Sequence, residues 1–401
     1  MRKIVIFLVL LTHATLFYAQ TPFKYIKANI ALFHHDTISA IQYLQDTLNQ
    51  NSNQPYALKN IGNIYSKLGK YAEANDYYFK LLTLNDSSII YDIVKNYAHL
   101  KNKEKTIEWL KIYLKTTQKQ PENSIRSNPI FNFLNNEKSW NELWKNNWFS
   151  DLEIKLADIV YLYEKKDINN LIETIDEALK IFPSQIDLEL WRAKAFLLGE
   201  NHSEALKSIN KILKSNPNHI EALVLKSAIF NIQKKYKNVA TTMLQIYNTQ
   251  PWEIQWKYKA AEAFNKASLY KESIRELDFY IQFDTTYAQA FYLLGNAFYQ
   301  LKQKDEAIKQ YTKAIHLYQG DPDYYYERAL CYYDKEQNEK AFSDLCMALD
   351  LKPTDGRYYY QRGLVNYALN KASGACRDFE RAKQLGVLKA EDYIQRYCKG
   401  K

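Results

Sequence analysis

Small and large apolar residues alternate along the C-terminal half of the chain at helical spacing and return every 34 residues. One register holds Gly295, Ala329 and Gly363, in the middle of a predicted first helix. A predicted second helix carries two alanine registers with a large side chain between them: Ala307, Ala341, Ala375; Ala314, Ala348, Ala382; and Tyr311, Leu345, Phe379. Spacings of three, four and seven residues indicate one face of a helix rather than a strand. The pattern predicts antiparallel helix pairs that pack closely through small residues, with a large side chain filling the gap.

The same interval continues towards the N terminus, so that seven consecutive units are predicted over residues 151–387. Prolines recur in one register, where they can end a second helix: Pro183, Pro217, Pro251 and Pro353. A repeated unit of this length predicts an array in which each unit packs on its neighbours.

This pattern resembles the tetratricopeptide repeat, a helix-turn-helix unit of 34 residues. The resemblance implies an all-α fold, a right-handed superhelical solenoid whose first helices line a concave groove that binds other proteins. It also implies that a terminal helix covers the apolar end of the array. Residues 388–401 are assigned to such a capping helix and a tail.

Residues 20–120 carry a weaker form of the pattern and are predicted to form degenerate repeats. The best of them places Gly62, Gly69, Ala74 and Tyr78 at the expected positions. The next one fits only after a slip of two residues and has Thr106 where alanine is expected. We expect helices here, with less regular boundaries than in the C-terminal half.

Residues 121–150 interrupt the period. Pro121 and Pro129 indicate an irregular stretch. Trp140, Trp144 and Trp148 then follow at i, i+4 and i+8, on one face of a short predicted helix. One interpretation is an aromatic lip that binds a peptide. The other, which we favour, is a helix that packs onto neighbouring repeats and bridges the two halves, because a repeat array must close its gaps with apolar contact.

Tyrosine is unusually frequent, with 34 residues in 401, and the period sorts its positions into rows. Tyr325, Tyr332 and Tyr359 share rows with Phe291 and Phe298 and are predicted to be core residues. Two other rows, with Asn296 beside them, are predicted to line the concave groove: Tyr258, Tyr292, Tyr326, Tyr360; and Tyr299, Tyr333, Tyr367. Tyrosine suits binding because its ring buries a large area and its hydroxyl pairs with polar groups. The rings could instead stack on adjacent repeats and stiffen the array, and both interpretations stay open.

Some tetratricopeptide domains grip a partner's C-terminal carboxylate with lysine, asparagine and arginine from successive first helices. Lys59 and Asn63 have the residue types and spacing for the first part of such a clamp. The next unit has Asp92 where asparagine is needed, and its carboxylate repels a carboxylate ligand. No carboxylate clamp is predicted.

The formal net charge is +9, with basic and acidic residues interspersed and no basic block. This distribution is typical of solvated helix faces and argues against a nucleic-acid partner. Arg2 and Lys3 precede a short apolar run, and Ala19 precedes a candidate cut, so residues 1–19 are predicted to be a signal peptide. A periplasmic or secreted location follows, without an integral membrane segment after cleavage. A retained membrane anchor is the alternative.

The sequence contains no CxxC pair, glycine-rich phosphate loop, nucleophile elbow or HExxH motif. We therefore expect no catalytic residues, no cofactor and no metal site. In an exported protein Cys376 and Cys398 could form a disulfide that fixes the C-terminal helix. Cys331 and Cys346 are expected to be buried thiols.

Together these features predict a non-enzymatic scaffold in the cell envelope that binds a protein or peptide partner in its concave groove. Two alternatives stay open. One is a carbohydrate-binding envelope protein, because rows of tyrosine also stack on sugar rings. The other is a membrane-tethered structural spacer, if residues 4–19 remain attached.

Overall fold

Helices follow one another in the order that the period predicts. A computed structural model describes residues 23–117 and 119–398, and no strand occurs within them. The predicted signal peptide lies outside the described residues. The N-terminal helices are α1 (residues 23–33), α2 (Thr37–Gln50), α3 (Pro55–Lys67), α4 (Tyr71–Leu82), α5 (Ile90–His99), α6 (Lys103–Leu114), α7 (Glu122–Arg126) and α8 (Lys138–Leu143), with short 3₁₀ helices at Ser87–Ile89 and Pro129–Leu134.

The C-terminal helices keep the 34-residue interval as far as the capping helix. They are α9 (Asp151–Lys165), α10 (Ile168–Ile181), α11 (Ile186–Leu198), α12 (His202–Ser215), α13 (Ile220–Ile232), α14 (Tyr236–Thr249), α15 (Gln255–Lys266), α16 (Tyr270–Ile281), α17 (Ala288–Gln300), α18 (Lys304–Leu317), α19 (Pro322–Tyr333), α20 (Asn338–Leu351), α21 (Gly356–Ala368), α22 (Ala372–Gln384) and α23 (Ala390–Tyr397). In the described part of the chain, none of these helices combines the length and apolar content that crossing a membrane requires.

The chain divides into two compact units. Unit 1 covers Met1–Ile229 and Thr249–Glu253, and unit 2 covers Phe230–Asn248 and Ile254–Lys401. Within unit 1, α3 packs with α4, α5 with α6, α9 with α10 and α11 with α12. Within unit 2, α15 packs with α16, α17 with α18, α19 with α20 and α21 with α22. The predicted all-α solenoid of helix pairs is confirmed.

One left-handed residue closes the turn inside each C-terminal helix pair. These residues fall 34 positions apart: Lys166, Glu200, Lys234, Ser268, Lys302, Glu336 and Asn370. The conformation disfavours a residue with a Cβ atom by about 1–2 kcal/mol, so the turn must compensate. After α17, the Gln303 N–H donates to Phe298 O at 2.9 Å and the Lys302 N–H donates to Tyr299 O at 2.9 Å. These bonds satisfy carbonyl groups at the helix end.

The N-terminal turns show where the period slips. His35, Gly69 and Lys101 are the left-handed residues of the first three helix pairs. Lys101 comes two residues earlier than the period requires after Gly69, which confirms the predicted slip.

Close packing within a pair depends on glycine facing an aromatic ring. A Cβ atom on Gly295 would lie 2.6 Å from the Tyr311 ring, and one on Gly363 would lie 2.6 Å from the Phe379 ring. In the N-terminal part the same relation joins Gly62 to Tyr78, at 2.5 Å. No side chain tolerates a Cβ contact that short, so these glycines permit the helices to approach. The large residue predicted to fill the gap does so.

Arginine–aspartate ion pairs with buried carboxylates join helices of unit 2 in two successive repeats, and neither was predicted. The Arg328 guanidinium donates to both Asp344 oxygens at 2.8 Å and to Thr312 Oγ1 at 3.0 Å. It therefore links α19 to α20 and to the preceding α18. One repeat later, Arg362 donates to Asp378 at 2.9 and 2.7 Å, which links α21 to α22.

The tryptophan-bearing stretch packs onto the third helix pair. Trp140 is buried and belongs to one apolar cluster with residues of α5 and α6, and Trp144 and Trp148 are half-buried against it. The Trp148 indole N–H donates to Leu143 O at 2.7 Å. These contacts support the packing interpretation of the tryptophans rather than an open aromatic lip.

The C-terminal helix α23 covers the end of unit 2. Ala390 is buried together with Phe379 of α22, and Tyr393 packs against them. A disulfide joins Cys376 to Cys398, with 5.7 Å between the two Cα atoms. Cys331 is a buried free thiol, as expected, whereas the free thiol of Cys346 is only half-buried.

Candidate functional site

Four first helices of unit 2 lie against one another in the order α15, α17, α19 and α21. Residues 34 positions apart occupy equivalent places on these helices, so the tyrosine rows run across them. The tyrosine groove is the surface formed by row one (Tyr258, Tyr292, Tyr326, Tyr360) and row two (Tyr299, Tyr333, Tyr367).

The rings of row one are half-buried and pack against an aromatic ring further along the chain. The ring centroids are 5.2 Å apart for Tyr258 and Tyr287, 5.0 Å for Tyr292 and Tyr324, 5.0 Å for Tyr326 and Tyr358, and 5.9 Å for Tyr360 and Tyr393. Such pairs contribute about 0.5–1.5 kcal/mol beyond the burial of their area. Row one therefore ties each repeat to the next, as the stiffening interpretation requires, and still leaves part of each ring accessible.

The hydroxyl groups of row one stay protonated at physiological pH. Burial raises the pKa of Tyr292 to about 12, and the Glu327 carboxylate adds to the rise. Burial and Glu327 likewise raise the pKa of Tyr326 to about 12. The Tyr292 and Tyr326 hydroxyls therefore keep a hydrogen that can be donated to a ligand, whereas those of Tyr258 and Tyr360 interact with Tyr287 and Tyr393.

Only one of the three tyrosines that were predicted to be core residues is buried. Tyr325 is buried, as expected, but Tyr332 and Tyr359 are only half-buried. Each ring packs on an apolar cluster on one side. On the other side the guanidinium of Arg328 lies 5.8 Å from the Tyr332 ring, and that of Arg362 lies 5.6 Å from the Tyr359 ring.

Tyr324 and Tyr358 fill the core instead. The Tyr324 hydroxyl donates to Gln289 at 2.9 Å, and the Tyr358 hydroxyl donates to Asp323 at 2.8 Å. In each case the hydroxyl reaches back to the preceding repeat. These bonds satisfy buried hydroxyl groups and fix the spacing of the first helices.

Row two is held less tightly than row one. The Tyr299 hydroxyl donates to Asp334 at 3.1 Å. Tyr367 is 44% exposed and lies 4.6 Å from the Tyr397 ring of α23. Because Tyr393 and Tyr397 contact the two rows, the capping helix closes one end of the tyrosine groove, a role that was not predicted from the sequence.

Asn296 lies between the groove and the core. Its side-chain oxygen accepts the Tyr311 hydroxyl at 2.7 Å. Its side chain is half-buried, and its amide group interacts with the Tyr292 hydroxyl of row one. The predicted polar neighbour of the rows is thus already oriented by a buried tyrosine.

Carboxylates beside the rows differ in whether they have a partner. Glu262 pairs with Lys266 at 2.7 Å, Asp323 with Arg357 at 3.1 Å and Asp334 with Lys304 at 3.5 Å. For Glu327 of α19, by contrast, the described residues supply neither a hydrogen bond nor an ion pair. Burial raises the pKa of Glu327 to about 7, Asp323 adds to the rise, and Arg357 opposes it.

Glu327 was not predicted as a site residue, although it differs in charge from the residues at the equivalent positions of the 34-residue period. The equivalent positions in the neighbouring repeats are Leu293 and Gln361, both buried. A carboxylate in a buried register is costly unless something compensates it. This mismatch makes Glu327 a candidate site residue.

The groove already contains one cation seated on tyrosine rings. The Arg357 guanidinium lies 5.4 Å from the Tyr326 ring centroid and 5.3 Å from that of Tyr358. It also pairs with Asp355 at 2.8 Å. Rings and carboxylates here are thus arranged in a way that attracts positive charge.

Replacing Glu327 by glutamine should stabilise unit 2 at pH 8 but not at pH 4.5. Because the folded-state pKa of about 7 lies above the ordinary value of 4.5, the folded chain holds the proton more tightly than the unfolded chain. Protonated Glu327 therefore contributes to the free energy of unfolding. This contribution is fully present below pH 4.5 and is lost as the pH rises through 7. We expect Glu327→Gln to add about 3 kcal/mol at pH 8, measured by hydrogen exchange of α19 amides.

The control is Glu306→Gln, which removes a carboxylate that is 51% exposed. It should leave the pH dependence of exchange unchanged. The prediction fails if the Glu327→Gln variant and the native chain exchange at the same rate as each other at pH 4.5 and again at pH 8. That result would show that the carboxylate is not desolvated.

The residues tested for a carboxylate clamp have partners within unit 1. The Lys59 ammonium donates to Ser88 Oγ at 2.8 Å, and the Asn63 side-chain oxygen accepts the Tyr78 hydroxyl at 2.8 Å. Across residues 23–117 and 119–398, no three His, Cys, Asp or Glu side chains are grouped so as to hold a metal ion.

Comparison with solved structures finds similar helical arrays. A tetratricopeptide repeat protein from Parabacteroides merdae is 16% identical with a TM-score of 0.43, covering 61% of this chain and 97% of that chain. The C-terminal part of a TPR repeat-containing protein from Cytophaga hutchinsonii is 16% identical with a TM-score of 0.47, covering 58% and 97%. YrrB, described as a TPR protein with an unusual peptide-binding site, is 13% identical with a TM-score of 0.39, covering 47% and 97%.

No curated protein matches the chain. Family models of the tetratricopeptide repeat match residues 57–88, 288–321 and 322–355. The last two matches are consecutive and contain α17 to α20, the centre of the tyrosine groove. On these matches and on its packed helix pairs, the chain is a tetratricopeptide-repeat protein.

Proposed function

We propose that this protein is a non-enzymatic interaction scaffold whose tyrosine groove binds an extended, basic peptide segment of a partner protein. The observation that carries the proposal is the pair of tyrosine rows on adjacent first helices, with the rings of row one half-buried and the unpaired Glu327 carboxylate beside them. Tetratricopeptide repeats generally act as non-catalytic binding modules, which supports the same class of function.

An extended segment fits this surface because the binding groups recur once per repeat. A folded domain would touch few of the rows, whereas an extended chain can place successive side chains on successive rings. Each ring of row one is held by an aromatic ring of the next element, so little conformational freedom is lost when a ligand binds. Tyrosine rings then contribute contact area and their hydroxyl groups contribute hydrogen bonds.

A basic side chain in the partner fits Glu327 best. A lysine or arginine next to Glu327 would pair with its carboxylate and lie near the Tyr292 and Tyr326 rings, as Arg357 does within the chain. The pairing would compensate a charge that is otherwise costly to bury. Binding of a cation also favours the ionised carboxylate, so affinity should rise between pH 6 and pH 8.

The proposal places the scaffold in the cell envelope or outside the cell. The signal-like residues 1–19 support export. The disulfide between Cys376 and Cys398 supports it as well, because disulfides persist in oxidising compartments. Intact mass of the mature protein tests this step: a mass that still includes residues 1–19 would favour a tethered form instead.

Selection of random peptides displayed on phage against the full chain tests the groove. We expect enrichment of peptides with lysine or arginine, and at least ~100-fold weaker binding by a variant with Tyr292, Tyr326 and Tyr360 all changed to alanine, as expected when several hot-spot rings are removed. The matched control is Tyr318→Ala, since that ring is 57% exposed and lies outside both rows. Hydrogen exchange of α17 and α19 verifies that the triple variant is folded.

Each contrary outcome has a defined meaning. If enriched peptides bind the triple variant as well as the native chain, the rows are structural and the proposed site is wrong. If glycans bind the groove and no peptide does, the groove serves a carbohydrate. Enrichment of neutral or acidic peptides would retain the groove and reject its preference for a basic partner.

A further inference from the structure

A third row of residues lies between the two rows of the tyrosine groove. On α17, α19 and α21, residues of row one, this middle row and row two follow at i, i+4 and i+7, which lie on one face of a helix. The middle row comprises Glu262, Asn296, Leu330 and Leu364, and all four side chains are half-buried. Its residues change from polar on α15 and α17 to apolar on α19 and α21. The two ends of the groove therefore differ in chemistry.

Two apolar subsites lie at the α19 and α21 end of the groove. One is formed by Leu330 and Tyr333, and the other by Leu364 and Tyr367, the equivalent residues one repeat later. Tyr367 is 44% exposed even with the Tyr397 ring beside it, and the other three side chains are half-buried. The Tyr333 ring packs on a buried apolar cluster, and within the described residues no ring stacks on it and no cation covers it. Each subsite therefore keeps accessible apolar surface.

The helix α19 also presents two phenolic hydroxyls that are accessible to a ligand. Those of Tyr326 and Tyr333 make no hydrogen bond within the described residues, and neither oxygen is enclosed by the protein. Burial of the ring raises the pKa of Tyr326 to about 12, so its hydroxyl keeps the proton at physiological pH. Both groups can donate to a carbonyl oxygen that is not already bonded within secondary structure.

The spacing of the repeats selects the backbone conformation of the ligand. Cα atoms of α19 approach those of α17 and of α21 within 8 Å, and the axes of packed helices are about 8–10 Å apart. A polyproline II helix has three residues per turn and rises about 9.3 Å per turn, so it presents the same face to each successive repeat. A β-strand rises about 10 Å over three residues, but its side chains alternate, so successive repeats would meet opposite faces. The groove therefore fits a polyproline II segment better than a strand.

The chemistry of a polyproline II segment matches the groups on α19. Such a segment makes no internal hydrogen bonds, so its carbonyl oxygens can accept from the Tyr326 and Tyr333 hydroxyls. Proline favours this conformation because its ring fixes φ near −65°, which lowers the entropy lost on binding. The proline ring is also a compact apolar group, and aromatic-lined grooves are a recurring way of binding proline-rich segments. Proline therefore suits the two apolar subsites.

Glu327 determines where a basic side chain lies along the segment. Its carboxylate raises the pKa of Tyr292 on α17, so it faces the preceding first helix. The Leu330–Tyr333 subsite begins three residues further along α19, and the Leu364–Tyr367 subsite follows on α21. A lysine or arginine that pairs with Glu327 therefore lies on the α17 side of both apolar subsites.

We propose that the partner segment bound in the tyrosine groove is a proline-rich polyproline II segment. Two prolines three residues apart occupy the two apolar subsites, and a lysine or arginine on one side of them pairs with Glu327. This inference rests on the proposed function, that the groove binds a peptide, and adds the conformation and sequence pattern of that peptide. Leu330 and Leu364 then determine specificity, because the same register is polar on α15 and α17.

Three synthetic peptides of equal length test the pattern by calorimetry with the full chain. The first has two prolines three residues apart and a lysine three residues before them. The second contains the same residues with the prolines two residues apart, and the third has alanine in place of both prolines. Each is also made with the lysine after the prolines, since the groove is compatible with either chain direction. We expect the better form of the first peptide to bind at least about tenfold more tightly than any form of the other two.

Two variants locate the binding on α19. Leu330→Asn introduces the residue that the preceding repeat has at this position, so the fold should tolerate it while affinity for the first peptide falls about tenfold. Tyr333→Phe removes one hydrogen bond and should weaken binding about three- to tenfold. Its melting temperature should stay at the native value, because the hydroxyl has no partner within the described residues. Tyr318→Phe is the matched control, since that ring is 57% exposed and lies outside both rows.

The contrary results separate this inference from the proposed function. If the three peptides bind equally, and the variant with Tyr292, Tyr326 and Tyr360 changed to alanine loses all of them, the groove binds peptides without a polyproline II pattern. That result rejects the inference and leaves the proposed function standing. Affinity for the first peptide that is unchanged in both Leu330→Asn and Tyr333→Phe would place its site elsewhere and also overturn the inference. Absence of binding by every synthetic and displayed peptide would reject the inference and the proposed function together.

Discussion

Truncation of Tyr311 to alanine is expected to destabilise the α17–α18 pair by about 4 kcal/mol, as for other large aromatic residues in cores. Its side chain is fully buried and its ring lies where a Cβ atom on Gly295 would be only 2.6 Å away. The substitution leaves a cavity beside a glycine that cannot fill it, and the Asn296 oxygen loses the Tyr311 hydroxyl. Hydrogen exchange of α17 and α18 amides measures the loss locally, which suits a repeat array that does not unfold in one step.

The neighbouring repeat provides the control for this prediction. There Ala329 and Leu345 occupy the places of Gly295 and Tyr311, and both are buried in one cluster. Gly295→Ala and Tyr311→Leu should each destabilise the native pair, the first by overpacking and the second by leaving a gap. Together they recreate the Ala329–Leu345 contact and should recover most of the loss. Additive losses in the double variant would show that the two positions do not pack as a unit.

The sizes of the residues at the Gly295 and Tyr311 positions of each repeat compensate each other, and this compensation explains why the fold could be predicted from the sequence. Where the first helix has glycine the second has an aromatic residue, and where it has alanine the second has leucine or isoleucine. The pairs are Gly295–Tyr311, Gly363–Phe379, Ala329–Leu345, Ala261–Leu277 and Ala193–Ile209. In these five pairs the summed volume is nearly constant at a constant interval, which is visible without any structure. Ile159 and Ile175, at the same positions of the first C-terminal unit, depart from this rule. The compensation in the other pairs fixes the helix pairs and their register.

Polar groups in the core could not be predicted in the same way. The interspersed charges of the sequence are typical of solvated helix faces, and that general pattern does not single out Arg328 and Asp344. A signal was present nonetheless, since Arg362 and Asp378 repeat both residues 34 positions later. Surface charges need not keep a period, whereas buried partners must, and the repetition indicates pairing.

The candidate sites were predictable to different degrees. The tyrosine rows follow from the period. The half-buried state of their rings depends on packing against Tyr287, Tyr324 and Tyr358, which the period does not predict. A cavity of unit 1 that is lined by residues of α5, α6, α9 and α11 lies where the period stops, so no periodic argument predicts it. The contribution of Tyr393 likewise depends on how α23 docks onto the last repeat.

Replacing Arg328 by methionine should destabilise unit 2 by about 4 kcal/mol, within the range for breaking a buried ion pair. The Asp344 side chain is 8% exposed and would be left charged without a cation. Thr312 of α18 would lose its donor as well. We expect faster exchange of amides in α18, α19 and α20. Arg357→Met is the control, because that side chain is 51% exposed and surface pairs contribute about 0–1 kcal/mol.

A second substitution separates the unpaired charge from lost packing. Asp344→Asn in the Arg328→Met background removes the buried charge, so most of the lost stability should return if the ion pair was the cause. Continued instability of the double variant would instead assign the loss to the packing of the arginine stem and to Thr312. Because Arg328 is adjacent to Tyr326 and Glu327 on α19, peptide binding should fall in the single variant and recover in the double one. Recovery of both properties together would show that this buried pair holds α19 in the position that the tyrosine groove requires.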